Sequence, residues 1–216
     1  MTITGILARY DGAALTVTAP FTDTDFLVEH DVRTCTMILD DGRQITALQR
    51  RYIYAMLRDI GFYTGHETEF LKEYFKGDTI ARTGGRWFSL ADCSMTEANE
   101  LIETLLEFCI EWQIPTKDDL AEFAPDIERY VYWCLKNKVC CVSRLPGAEL
   151  HHVDHVGMGR DRREIPHLGM RAMPLLRKYH DEAHRIGQSA FEEKYHIHGI
   201  PLTTELCAVW NLKAGE

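Results

Sequence analysis

Residues 176–187 read Leu-Arg-Lys-Tyr-His-Asp-Glu-Ala-His-Arg-Ile-Gly, which predicts a short helix over residues 177–186. Gly187 is the residue type that commonly ends a helix. His180 and His184 are four residues apart, so their side chains point to the same side of this helix and can hold one cation. Many helices carry such a pair without a metal, so the pair needs support from elsewhere in the chain.

Histidines are concentrated around this stretch, because eight of the ten lie between residues 151 and 198. His151 and His152 belong to an alternating segment that is typical of a strand, where neighbouring side chains face opposite ways. One imidazole of the pair can therefore bind the cation, while His152 stands next to it as a general base. Three ligands and a base are the minimum for metal-assisted hydrolysis of a phosphodiester. The alternatives are a solvated histidine cluster and a structural zinc site.

The segment between the histidine pair and the helix offers further candidates. His167 lies 15 residues after His152 and can orient the base through its other ring nitrogen. The alternative is a loop histidine without a catalytic role. Asp154 is a candidate for an additional metal ligand. The intervening Gly- and Arg-rich loop carries guanidinium groups that can bind a phosphate through two hydrogen bonds, or else it is a solvated basic loop. Its arginines are Arg160, Arg162 and Arg163.

Composition and charge limit the classes of protein to which the chain can belong. Its 216 residues fit one large domain or two small ones, with ordinary fractions of hydrophobic (45%) and charged (26%) residues. No apolar run approaches the roughly 20 residues of a membrane helix. No secretory signal is recognisable, and seven cysteines are an odd number, so we expect a cytoplasmic protein with free thiols. The net charge is −9, but residues 140–198 carry nine basic and eight acidic side chains, which permits phosphate binding there.

The hydrophobic pattern predicts an α+β protein in which a strand-plus-helix domain, residues 1–137, precedes a small module, residues 138–216. The first domain is expected to contain strands at 3–9, 15–19 and 33–39 and helices at 45–60, 67–75, 94–113 and 125–137. Gly61 is expected to end the first helix, and Ser94 and Glu97 to begin the third with a capping box. Leu48 and Trp112 are assigned to apolar stripes that face the core. In the second module, residues 138–142 and 149–153 are expected to form a hairpin, followed by an extended segment at 173–176 and the histidine helix.

Residues 140–200 resemble the HNH, or ββα-metal, endonucleases, in particular small phage-encoded ones. The resemblance rests on Glu149-Leu-His-His-Val, on Val156-Gly-Met-Gly-Arg-Asp-Arg, on Pro166-His167 and on residues 176–187. It implies that one divalent metal ion, Mg²⁺ or Mn²⁺ with Zn²⁺ as an alternative, is bound by three imidazoles. It also implies that His152 is the general base and that His167 takes the place of the central Asn of the motif. The implied ligands are His151, His180 and His184.

The first 137 residues are similar, more loosely, to the phage recombination proteins called NinB or Orf, through residues 45–59, residues 94–97 and Trp112. This likeness implies a module that binds single-stranded or branched DNA, as a homodimer or with a host recombinase or single-strand-binding protein. We therefore expect a DNA endonuclease linked to phage recombination in the host cytoplasm. The alternative is a non-catalytic single-stranded DNA-binding mediator whose histidines hold a structural zinc ion. A third alternative, an interaction protein without a nucleic-acid role, does not explain the histidine spacing.

Overall fold

A computed structural model describes residues 6–20, 42–154 and 166–214 of the protein. Helices combine with two small antiparallel sheets, which confirms the predicted α+β class. The helices are α1 (Ala47–Thr64), α2 (Thr68–Thr83), α3 (Met95–Glu111), α4 (Ile127–Lys136), α5 (Arg177–Ile186), α6 (Gln188–Tyr195) and α7 (Thr204–Val209), with a 3-10 turn at Ala121–Phe123. The strands are β1 (Ile6–Tyr10), β2 (Leu15–Thr18), β3 (Glu149–His152), β4 (Arg171–Leu175) and β5 (Ile200–Pro201). The predicted strand at residues 33–39 lies outside the described residues.

Helices α1, α2 and α3 pack against one another, and α1 and α3 begin at capping boxes. At α3 the predicted capping box is confirmed: the N–H of Glu97 donates to Ser94 Oγ at 3.1 Å, and Glu97 Oε2 accepts the N–H of Ser94 at 2.8 Å. At α1 a second capping box joins Thr46 and Gln49, with distances of 3.1 and 2.9 Å. Each box gives hydrogen-bond partners to backbone N–H groups that the first helical turn leaves open.

Two predicted helix ends are wrong. Gly61 lies inside α1, which continues to Thr64 and ends at Gly65, whose φ is 78°. Gly61 instead allows the chain after the helix to come close, because a Cβ there would lie 2.7 Å from the carbonyl oxygen of His66. Helix α2 was expected to end at residue 75, but it continues to Thr83 and ends at Gly84. In α2 the turn after residue 75 is still packed, since Lys76 and Thr79 are buried, so Gly77 does not end that helix.

The second half of the chain is built around a three-stranded antiparallel sheet with the order β3-β4-β5. The predicted hairpin between residues 138–142 and 149–153 is wrong, because β3 pairs with β4 instead. Val139 and Pro146 form only an isolated bridge, and a proline has no N–H with which to extend a ladder. The predicted extended segment at residues 173–176 corresponds to β4, and the predicted histidine helix is α5 with unchanged bounds.

Buried side chains from both halves of the chain form one continuous core. Helix α4 connects them: Tyr130 Oη donates to the carbonyl oxygen of Cys141 at 3.0 Å, and Trp210 Nε1 donates to that of Leu135 at 3.0 Å. The division at residue 137 therefore stays a prediction. Two residues assigned to the core are exposed, Leu48 by 51% and Trp112 by 60%; Leu48 is in the first turn of α1, and Trp112 follows the last residue of α3. Within the described residues, no helix has both the length and the apolar character needed to span a membrane.

Candidate metal centre

The paired histidines lie on β3, in register with β4. His151 stands opposite Met173 and His152 opposite Ala172. His151 is buried, with 3% of its surface exposed, whereas His152 is half-buried. The side chain of His151 comes close to helix α5, which packs on β3 and β4. The pairing of β3 with β4 thus holds His151 where its ring contacts helix α5.

Helix α5 brings His180 and His184 to the same imidazole, as their four-residue spacing predicts. The ring centroids are 4.8 Å apart for His151 and His180, 5.1 Å for His151 and His184, and 4.8 Å for His180 and His184. One ring nitrogen from each of the three lies within 4.8 Å of the other two. Three imidazoles from two separate segments therefore converge closely enough to hold one ion.

Two polar side chains lie within hydrogen-bonding distance of imidazoles in this group. Neither was predicted from the sequence to be a site residue. His151 Nε2 lies 2.9 Å from Gln188 Oε1, at the start of α6. His180 Nδ1 lies 3.2 Å from Glu149 Oε2, on the same strand as His151. The spacing of Glu149 and His151 was a usable signal, since residues two apart on a strand share a face. Gln188 gave no such signal, because α6 was not predicted.

Burial lowers the pKa of His151 below its ordinary value; the hydrogen bond with Gln188 opposes this effect, and His180 and His184 add to it. A neutral imidazole is the form that binds a metal. The buried Nδ1 of His151 has no hydrogen-bond partner within the part of the chain that the structure describes. These observations fit a divalent metal ion, and a set of imidazole nitrogens suits transition metals and Zn²⁺ better than the oxygen-seeking Mg²⁺.

A cavity of about 360 Å³ lies beside the three imidazoles. His152 lines it together with the ligand candidates but does not belong to the group of three converging nitrogens. The ring of His167, which is buried, stacks on that of His152 with centroids 4.9 Å apart and an angle of 26° between the planes. His152 therefore lies beside the group of three imidazoles, and His167 contacts it through a ring face.

The other candidates have different surroundings. Asp154 also lines the cavity, but its carboxylate accepts hydrogen bonds from the backbone N–H of Arg171 at 2.7 Å and from its guanidinium at 2.8 Å. These bonds hold the pKa of Asp154 below its ordinary value and leave it outside the histidine group. The candidate phosphate-binding residues lie outside the described part of the chain; they are Arg160, Arg162 and Arg163.

Comparison with known protein families gives one further finding. A family model described as "Putative HNHc nuclease" matches residues 21–213, which is most of the chain. Neither the curated proteins nor the solved structures gave a match.

Proposed function

The chain belongs to the HNHc nuclease family, and we propose that it is a DNA endonuclease that hydrolyses phosphodiester bonds with one divalent metal ion. The proposal rests on one observation: His151, His180 and His184 converge within 4.8 Å of one another, and His152 stands at the same cavity. In this assignment the first three bind the ion and His152 is the catalytic base.

The chain's own groups have distinct tasks in this mechanism. His152 removes a proton from a water molecule, whose oxygen forms a bond to phosphorus while the bond to the leaving 3′ oxygen breaks. His167 orients the base by stacking on its ring. A bound divalent cation supplies positive charge that stabilises the leaving oxygen. Arg160, Arg162 and Arg163 hold the neighbouring phosphates, an assignment supported by the sequence alone.

The number and exposure of the ligand candidates favour a catalytic over a structural ion. A structural zinc site fills all four positions with protein ligands, whereas a catalytic one keeps a position open. Among the described residues, the converging group has three members, and His184 is exposed to solvent. The family resemblance favours Mg²⁺ or Mn²⁺ as the working ion, whereas the all-imidazole ligand set favours Mn²⁺ or Zn²⁺ over Mg²⁺, and the nicking assay distinguishes the three.

The deciding experiment is nicking of supercoiled plasmid with EDTA, Mg²⁺, Mn²⁺ or Zn²⁺. We expect EDTA to abolish nicking and an added ion to restore it. His152→Ala should lower the rate about 10²- to 10⁴-fold, the usual contribution of a general base, while metal binding persists. His198→Ala is the matched control, because His198 is a partly exposed histidine beside Glu128 and outside the histidine group. Unchanged nicking by the His152 variant would remove the base assignment.

A second candidate function is a non-catalytic single-stranded DNA-binding mediator. One observation favours it: a cavity of about 690 Å³ between α1, α2 and the segment before α3 is lined by cations and aromatic rings. Such a lining suits a nucleic-acid strand, whose phosphates need positive charge and whose bases stack on rings. The lining includes Arg50, Lys72, Lys76, Tyr54 and Trp87, together with Glu73, whose carboxylate lies 3.5 and 3.4 Å from the two lysines. DNA retention without nicking under any of the ions, or with a recombinase added, would favour this function.

The proposed link to phage recombination in the host cytoplasm rests on the NinB-like pattern of the first 137 residues. A homodimer and a recombinase or single-strand-binding partner belong to the same proposal. The basic and aromatic cavity supports DNA contact by this part of the chain. Binding of single-stranded and branched oligonucleotides by Trp87→Ala, compared with Trp112→Ala as an exposed tryptophan outside that cavity, tests this assignment.

A further inference from the structure

Gln188, the first residue of α6, lies between a carboxylate and an imidazole. Its Nε2 donates to Glu192 Oε1 at 2.8 Å, and its Oε1 lies 2.9 Å from His151 Nε2. A carboxylate only accepts hydrogen bonds, so Glu192 requires the NH₂ group of the amide on its own side. The amide oxygen must then face His151.

The orientation of the amide determines where His151 carries its proton. An amide oxygen only accepts, so His151 Nε2 must be protonated in order to donate to it. A neutral imidazole has one N–H, which leaves Nδ1 with its lone pair. This is the nitrogen that is buried without a hydrogen-bond partner among the described residues. We infer that Gln188, held by Glu192, is a positioning residue that makes Nδ1 of His151 the metal-binding nitrogen.

In His180 the other ring nitrogen makes the hydrogen bond. Its Nδ1 lies 3.2 Å from the carboxylate of Glu149, so the proton is on Nδ1 and the lone pair on Nε2. Two ligands of one ion thus present different ring nitrogens. Partners of this kind orient metal-binding histidines and set their tautomers.

Glu192 is itself anchored within the fold. Its Oε1 also accepts the backbone N–H of Gly199 at 3.3 Å, next to β5. Gly199 is a position where a side chain does not fit, since a Cβ would lie 2.4 Å from Val153 Cγ2. The backbone next to β5 therefore holds the Glu192 carboxylate in place. This carboxylate orients the amide of Gln188, and the amide determines which nitrogen of His151 is protonated. This inference rests on the proposed metal site but not on the proposed cleavage of DNA.

The direct test is the tautomer of His151 in the metal-free protein, read from long-range ¹H–¹⁵N NMR spectra of its ring. We expect the Nε2–H form in the wild type and a mixture of forms in Gln188→Met, which keeps the length of the side chain but cannot accept in the same way. With Cd²⁺ bound, the ion should couple to Nδ1. An Nδ1–H tautomer, or coupling of Cd²⁺ to Nε2, would overturn the inference whether or not the protein cuts DNA.

A second measurement separates positioning from folding. Zn²⁺ affinity, measured by calorimetry, should fall about 10- to 100-fold in Gln188→Met, the usual effect of losing such a partner. Glu192→Ala should weaken it in the same direction. Glu193→Ala is the matched control, because Glu193 is an exposed residue one position along α6 without a hydrogen bond or ion pair among the described residues. Equal Zn²⁺ affinity of the Gln188 variant and the wild type, with both folded by circular dichroism, contradicts the inference.

Discussion

The helical half of the protein (residues 42–137) and the metal-site half (residues 138–214) bury their polar groups differently. In the helical half, the hydroxyl oxygens of Thr79 and Thr104 lie 3.0 Å apart, and they lie 2.8 and 2.9 Å from carbonyl oxygens of their own helices, so the single O–H of each has an acceptor. In the metal-site half, the buried Nδ1 of His151 has no partner in the described residues. An unsatisfied buried polar group costs about 1–3 kcal/mol. The comparison indicates that these buried polar groups of the helical half find partners within the fold, while the metal-site half holds one that an ion would satisfy.

The largest expected effect concerns apolar packing in the helical half. Leu101 on α3 is fully buried, so Leu101→Ala should lower the free energy of unfolding by about 2–5 kcal/mol through lost contacts and a cavity. Urea denaturation measures this. Leu48→Ala is the same substitution on α1 at a residue that is 51% exposed, and it should stay within about 0.5 kcal/mol of the wild type. Similar losses for the two variants would show that this half does not depend on its buried stripe.

The metal-site half should gain stability from its ion. A ligand that binds only the folded protein adds about 2.7 kcal/mol at 100 times its dissociation constant. We therefore expect Zn²⁺ to raise the melting temperature of the wild type and to leave that of His184→Ala unchanged. His184 is exposed, so its loss should cost little stability without metal. Calorimetry with and without Zn²⁺ measures the melting temperatures of the wild type and of His184→Ala, with His198→Ala as the control. A full shift in His184→Ala would exclude His184 as a ligand.

The same comparison explains which features could be predicted from the sequence. His180 and His184 were placed correctly on a helix, and Ser94 and Glu97 in a capping box, because these contacts join residues three or four positions apart. The pairing of β3 with β4 was missed, since it depends on partners 20 to 26 positions away in the sequence. The convergence of the strand and helix histidines was predicted from the concentration of histidines between residues 151 and 198 and from the family resemblance, because residue spacing does not specify contacts between separate segments.

The positioning residues mark the limit of sequence-based prediction. Gln188 contacts His151 across 37 positions, and nothing in its neighbourhood distinguishes it from any surface glutamine. Its placement depends on a break between α5 and α6 at Gly187. The exposure of Leu48 and Trp112 was missed for a related reason. Periodicity tells which residues share a helix face, but the length over which that face is buried depends on the neighbouring elements, and Leu48 and Trp112 lie at helix ends.

The smallest expected effects come from two glycine-to-alanine substitutions, one in each half, which should change the free energy of unfolding in opposite directions. Gly187 has φ 88° and ψ 152°, a conformation that is essentially restricted to glycine, and it joins His184 and Gln188 to the same site. Gly187→Ala should therefore lower the free energy of unfolding by about 1–3 kcal/mol and weaken Zn²⁺ binding. Gly77 lies inside α2, with nothing within 4 Å of an added Cβ. Gly77→Ala should therefore raise the free energy of unfolding by about 0.5–1 kcal/mol. Urea denaturation of the two variants measures both changes in the free energy of unfolding. Stabilisation by Gly187→Ala would mean that the turn between α5 and α6 is not held in this conformation, and the placement of Gln188 would lose its structural basis.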